Sequence, residues 1–131
     1  MSRYLIDTDW IIDALNNQAA AIDHLINLAP EGLAVSLISY GELWEGARFA
    51  RDPERELNGL ATFLQGKELL TLSVEIMRRF GDLRGALRRI GQPLSDFDLL
   101  VAATVLEHDL ILVTRNVRHF QRIPDLMLYT D

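Results

Sequence analysis

Four acids stand near the starts of helix-like runs, the first two of them just past strand-like ones: Asp7, Glu42, Asp96 and Asp98. Asp7 closes the apolar run Tyr4-Leu5-Ile6, and Glu42 follows the apolar run Leu33 to Leu37. Asp96 and Asp98 open the most apolar helix of the chain, and Thr114, Arg115 and Asn116 end the strand after it. Carboxylates facing one small volume repel one another, and burying them unpaired is costly. A divalent cation relieves that repulsion. Hard oxygen donors without cysteine or histidine among them suit Mg2+ or Mn2+ rather than zinc. Such ions bind phosphates and lower the pKa of a bound water, which is the chemistry of phosphodiester hydrolysis.

Each residue also has an ordinary structural use. Ser39-x-x-Glu42 and Ser95-x-x-Asp98 resemble capping boxes, and a first-turn carboxylate gains from the helix dipole. Asp7 can cap the helix that follows it, and Thr8 and Thr114 are either supporting hydroxyls of the site or plain caps. Asp96 and Asp98 are two apart, so a helix does not turn both to one ion. Chain order alone leaves open which of the two faces the site.

The elements that must position these residues alternate. Strands are expected over Arg3 to Asp7, Leu33 to Leu37, Leu69 to Leu72 and Leu110 to Thr114, with a short fifth near Leu126 to Tyr129. Helices are expected from Thr8 or Asp9 to Leu15, from Gln18 to Leu28 and from Tyr40 to Ala50. Asp52-Pro53 is an N-cap with proline at the first helical position, starting a helix to Leu64. Ser73 begins a long helix with Ile76, Phe80, Leu83 and Leu87 on one face, ended by Gly91-Gln92-Pro93. Ser95 opens a helix to Glu107 that is almost wholly apolar from Leu99 to Leu106, so it must be packed on more than one side. Such alternation implies a mainly parallel sheet with helices on both faces, and ligands bind such sheets beyond the carboxyl ends of the strands.

The 131 residues fit a single α/β domain, with 49% hydrophobic residues to fill its core. With no cysteine present, disulfides, zinc-thiolate sites and cysteine nucleophiles are excluded. No Gly-x-Ser-x-Gly elbow occurs. His24, His108 and His119 are scattered and read as surface residues. No apolar run is long enough to span a bilayer, and the start of the chain lacks a signal-peptide core, so a soluble, cytoplasmic protein without membrane contact is expected. The net charge of −6 disfavours nucleic acid, but it is unevenly spread. Residues 1–72 carry 11 acids and 5 basic residues, whereas residues 73–131 carry 8 of each. The basic residues of the second part are all arginine, which suits phosphate contacts as well as a solvated helix face.

In order and spacing, Tyr4-Leu5-Ile6-Asp7-Thr8-Asp9, Ser39-Tyr40-Gly41-Glu42-Leu43, Asp96-Phe97-Asp98-Leu99-Leu100-Val101-Ala102-Ala103 and Leu112-Val113-Thr114-Arg115-Asn116 resemble the PIN-domain ribonucleases. The likeness is to the VapC-type toxins of toxin–antitoxin pairs, and it covers almost the whole chain. It implies a three-layer α/β/α domain with a mainly parallel sheet of four or five strands. It also implies a Mg2+- or Mn2+-dependent endoribonuclease whose metal-binding acids map onto Asp7, Glu42 and Asp98. Glu42 would complete the site and help to orient the attacking water. Asp98 is preferred to Asp96 because it directly precedes the apolar run, as in the family pattern. Where the family often has a further acid after the last long strand, this chain has Asn116. Its carbonyl can hold a metal-bound water but adds no charge, which leaves the number of ions open. The resemblance further implies an RNA substrate such as tRNA, a cognate antitoxin and a homodimer. Arg115 and Arg118 are candidate RNA contacts, and Trp10, Trp44 and Phe49 are candidates for partner contact or for the core.

Two other classes compete. Asp7-Thr8-Asp9 after a strand is similar to the haloacid-dehalogenase-like phosphohydrolases, but the later phosphate-side lysine of that class has only Lys67 to fill it. A response-regulator receiver fails on the same count. A PIN-like fold kept as a non-catalytic binding module would be signalled by loss of a core acid, and all three are present.

Overall fold

Successive residues of each strand point to opposite faces of a sheet, and here both faces are apolar, so helices must cover both. The computed structural model describes residues 1–130. Five strands, β1 (Tyr4–Ile6), β2 (Leu33–Ser36), β3 (Glu68–Leu70), β4 (Ile111–Val113) and β5 (Met127–Leu128), form one sheet in the order β3-β2-β1-β4-β5. Every pairing is parallel. The expected strands are all present, each shorter than expected by one or two residues, and β3 begins one residue early at Glu68.

Helices α1 (Thr8–Leu15), α2 (Ala19–Leu28), α3 (Leu37–Arg48) and α4 (Pro53–Leu64) connect β1, β2 and β3. They bury Trp10, Ile11, Leu25, Leu43 and Leu60 against Tyr4, Ile6, Val35 and Val113. Helices α5 (Val74–Arg89), α6 (Asp96–Glu107) and α7 (Val117–Phe120) follow. They bury Leu87, Leu99, Val105 and Phe120 on the opposite face, against Leu5, Ala34 and Leu112. Three layers result. As its composition requires, α6 is wrapped, with Leu99, Val101, Ala102, Ala103, Thr104 and Val105 all buried. The short α7 was not foreseen, because four residues carry too little periodicity to read.

The helix ends follow the sequence closely at most places. Ser73 and Ser95 cap α5 and α6 by accepting bonds from Ile76 N and Asp98 N, and Asp52 caps α4 ahead of Pro53. The third helix differs at both ends, closing at Arg48, two residues before the expected Ala50. It begins at Leu37, three residues before the expected start, and its cap is Ser36, whose hydroxyl accepts from Ser39 N at 3.0 Å. Ser39-x-x-Glu42 is therefore no capping box, and Glu42 lies in the second turn rather than the first. The apolar Leu37 and Ile38 hid the boundary by extending the strand pattern. Gly32 (φ 92°) precedes β2, and a Cβ there would come within 2.8 Å of Ser2 Cα, so the close pairing with the start of β1 requires glycine.

Candidate active site

The chain moves outward from β1 through β2 to β3, then crosses back to β4 beside β1, so the strand order reverses between β1 and β4. A crevice opens at the carboxyl end of the sheet at such a reversal. Asp7 ends β1 there, and Thr114 ends β4 beside it. The Thr114 hydroxyl donates to Asp7 Oδ2 at 2.8 Å, while Asp7 Oδ1 accepts from Thr8 N at 2.9 Å as the cap of α1. Capping and site membership are thus one placement for Asp7.

Asp7 is buried, and burial is the largest cause raising its pKa from 3.8 to about 6. The Asp9 charge adds to this and the Asp98 charge adds less, against the lowering bonds from Thr114 and Thr8. A buried acid with further acids near it is the electrostatic pattern expected of a cation site. Asp98, half-buried in the first turn of α6, is close enough for its field to be felt at Asp7. Glu42 approaches from α3, its Oε1 accepting the Thr8 hydroxyl at 2.8 Å. Thr8 therefore couples Glu42 to the cap of α1, and Thr114 couples β4 to Asp7.

Asp96 turns elsewhere. Its Oδ1 meets Arg84 Nε of α5 at 2.8 Å, an exposed ion pair. Asn116 lies at the start of α7, where its amide Nδ2 pairs with His119 Nδ1 at 2.8 Å and its N–H donates to the Thr114 hydroxyl at 3.1 Å. Arg115 is tied to α1: Nε donates to Asp13 Oδ2 at 2.7 Å, and its guanidinium lies 4.4 Å from the centre of the Trp10 ring. Arg118 is exposed and borders a cleft beside the loop between α5 and α6.

Asp9 is the acid that the sequence reading did not place in the site. Its Oδ2 accepts Arg115 N at 3.0 Å and its Oδ1 accepts Trp10 N at 2.7 Å. Burial raises its pKa, opposed by those bonds. Asp7 is the cap and not yet helical, so the rule that separates residues two apart on a helix does not govern it and Asp9. The available signal was the run Asp-Thr-Asp straddling a strand-to-helix junction.

Of the two alternatives for Trp10, partner contact and core, the structure shows the core. It is 3% exposed and packs edge-on against His24 and Tyr129, with its indole N–H left without a hydrogen-bond acceptor. His24 is likewise half-buried, with Nδ1 2.9 Å from the Tyr129 hydroxyl, and is not a free surface residue. Trp44 and Phe49 remain exposed, Phe49 at 81%.

Among the described residues, no three acidic or histidine side chains already converge closely enough to hold an ion by themselves. The donors at the crevice are carboxylate and hydroxyl oxygens. That set fits Mg2+ or Mn2+, which keep several waters and take only one or two protein carboxylates.

Comparison with known proteins agrees with this geometry. The model of the PIN domain family matches residues 4–126. The tRNA(fMet)-specific endonuclease VapC of Salmonella typhimurium is 30% identical over 128 residues, covering 98% of this chain and 97% of that protein. Ribonuclease VapC1 of Haemophilus influenzae is 30% identical over 94% of this chain and 93% of its own length. Among solved structures, VapBC2 of Rickettsia felis bound to a DNA fragment from its promoter superposes with a TM-score of 0.91 at 30% identity, covering 96% of each chain. DNA-bound VapBC of Salmonella typhimurium gives 0.91 at 29% identity over 98% of each.

Proposed function

The chain belongs to the PIN-domain family, and from that premise we propose that it is an endoribonuclease, the toxin of a type II toxin–antitoxin pair. The observation that carries the reading is Asp7, a buried carboxyl at the point of strand reversal whose affinity for a proton is raised by burial and by neighbouring acids. Such a group favours a bound cation over its own ionisation in isolation.

Asp7 and Asp98 hold the divalent ion, directly or through water. Glu42, steadied by Thr8, completes the acid set and orients the attacking water. Thr114 fixes the Asp7 carboxylate, and Asp9 anchors the segment from Thr114 to Arg115. When bound, Mg2+ or Mn2+ neutralises the phosphate and lowers the pKa of a water. Asn116, already paired to His119, adds no charge to a second ion site.

The similar VapC proteins are named as ribonucleases or as a tRNA(fMet)-specific endonuclease, which supports RNA, and tRNA in particular, as the substrate. Their VapBC complexes support a cognate antitoxin, and homodimer assembly is part of the same proposal, with Trp44 and Phe49 supplying exposed apolar contact. Among the described residues no helix is long and apolar enough to cross a membrane.

Induction of the chain in a bacterial host, beside an Asp7→Asn control, tests the reading. Growth arrest by the parent alone is expected, because the exchange removes charge and keeps the cap. Normal growth with both, at equal soluble expression, would count against a toxin acting through this site.

A further inference from the structure

Several arginines on this molecule are answered by a carboxylate. Arg3 pairs with Glu31, Arg79 with Glu107, Arg84 with Asp96 and Arg115 with Asp13. Arg118 and Arg122 are not among these, and the two share one cleft. Arg118 lies on α7 and Arg122 just past its end, and neither has a carboxylate partner among the described residues. They line a cleft with Gly91, Gln92, Pro93 and Gln121, and none of the six is acidic in a chain of 19 acids and 13 basic residues. Arg122 is held by donating from Nη1 to Pro93 O at 3.3 Å, which fixes it at the mouth of the loop between α5 and α6. Pro93 also borders the neighbouring hollow that contains Arg88.

The position of the cleft matters as much as its charge. Its two walls run directly into the crevice: Pro93 is five residues ahead of Asp98, and Arg118 is four residues past Thr114. Four residues span at most about 14 Å, so the Arg118 backbone is within that reach of Thr114. That reach corresponds to a few nucleotides of a nucleic-acid strand lying across the acids.

We propose that Arg118 and Arg122 form a subsite for backbone phosphates of the RNA flanking the cleaved bond, positioning the strand without reading its bases. The proposal rests on the ribonuclease reading above. Guanidinium groups bind phosphate as a fork, and glutamine side chains at 92 and 121 add neutral donors for phosphate or ribose. The subsite lets an acidic protein hold a polyanion next to its own carboxylates, and the contribution is local rather than a property of the net charge.

The test measures binding of bulk tRNA to full-length protein carrying Asp98→Asn, so that the RNA stays intact. This parent is compared with a version that also carries Arg118→Gln and Arg122→Gln. Over roughly 50 to 200 mM salt, losing two phosphate contacts should make the slope of log K against log salt shallower by about one to two. Affinity at the low-salt end should fall about tenfold. Lysine at both positions should restore the slope, since charge is kept, and Arg51→Gln with Arg55→Gln should leave it unchanged. With Asp98 intact, the glutamine pair should raise KM for tRNA and leave kcat within about twofold. An unchanged slope and affinity in the glutamine pair, or an equal loss in the Arg51 and Arg55 control, overturns the subsite alone. A parent that binds no tRNA, together with wild-type protein that cleaves none, overturns the ribonuclease reading and the subsite with it.

Discussion

Asp7 caps α1 and is also the most buried acid of the crevice, so its protonation couples the site to the stability of the fold. Its folded-state value, about 6, lies above the ordinary 3.8, so the folded protein holds the proton more tightly than the unfolded chain. The stabilisation is full below the unfolded value and is lost as pH rises through about 6. Without divalent ions, stability against denaturant should therefore rise by about 1 kcal/mol from about pH 7 to about pH 5, and Asp7→Asn should remove most of that rise. A slope unaffected by the exchange would assign it to other groups, Asp9 first among them. The neighbouring pair on α6 separates as cleanly. Asp96→Asn breaks only an exposed bridge to Arg84, so activity should stay within about twofold and stability within about 1 kcal/mol. Asp98→Asn should lower the cleavage rate by on the order of 100-fold or more. Equal effects of the two on cleavage would contradict the assignment. At this scale the acids were legible as types, since carboxylates at strand ends have few other reasons to gather. Which of them point inward was not legible without the family pattern, because Arg84 claims Asp96 from α5, and Arg115 N claims Asp9 from the end of the neighbouring strand.

Elements were easiest to read where a cap and a period agree. Asp52-Pro53, Ser73 and Ser95 each placed a helix start to the residue, because one side chain both ends the preceding segment and accepts a first-turn N–H. The start of α3 was misread because β2 passes into helix through Leu37 and Ile38 without a polar break, leaving Ser36 as the only mark. Trp10 could not be sorted by pattern either. It follows two acids at a helix start, yet α1 turns it inward to His24 and Tyr129, and Tyr129 arrives from the far end of the chain. Trp10→Ala should accordingly cost about 3–5 kcal/mol of stability in denaturant unfolding. Phe49→Ala should cost under about 0.5 kcal/mol, since the ring is exposed. A mild effect of the first exchange would mean that Trp10 does not belong to the core.

For the molecule as a whole, the parallel sheet explains why so few residues suffice. The strand reversal between β1 and β4 brings residue 7 beside residue 114, and the crossover through α5 and α6 delivers Asp98 to the same edge. Both faces of the sheet are sealed by helices, which leaves the carboxyl edge as the place for chemistry. The three-layer architecture was legible from the alternation of apolar runs and helical periods. The separation of acids from the unpaired arginines at α7 was not, since it depends on which ion pairs form. The direct test of the central claim is cleavage of bulk tRNA by the purified chain with Mn2+, beside the same protein in excess chelator and beside Asp98→Asn. The account predicts discrete tRNA fragments in the first reaction and intact tRNA in the other two. Cleavage that persists in chelator and in Asp98→Asn would contradict it.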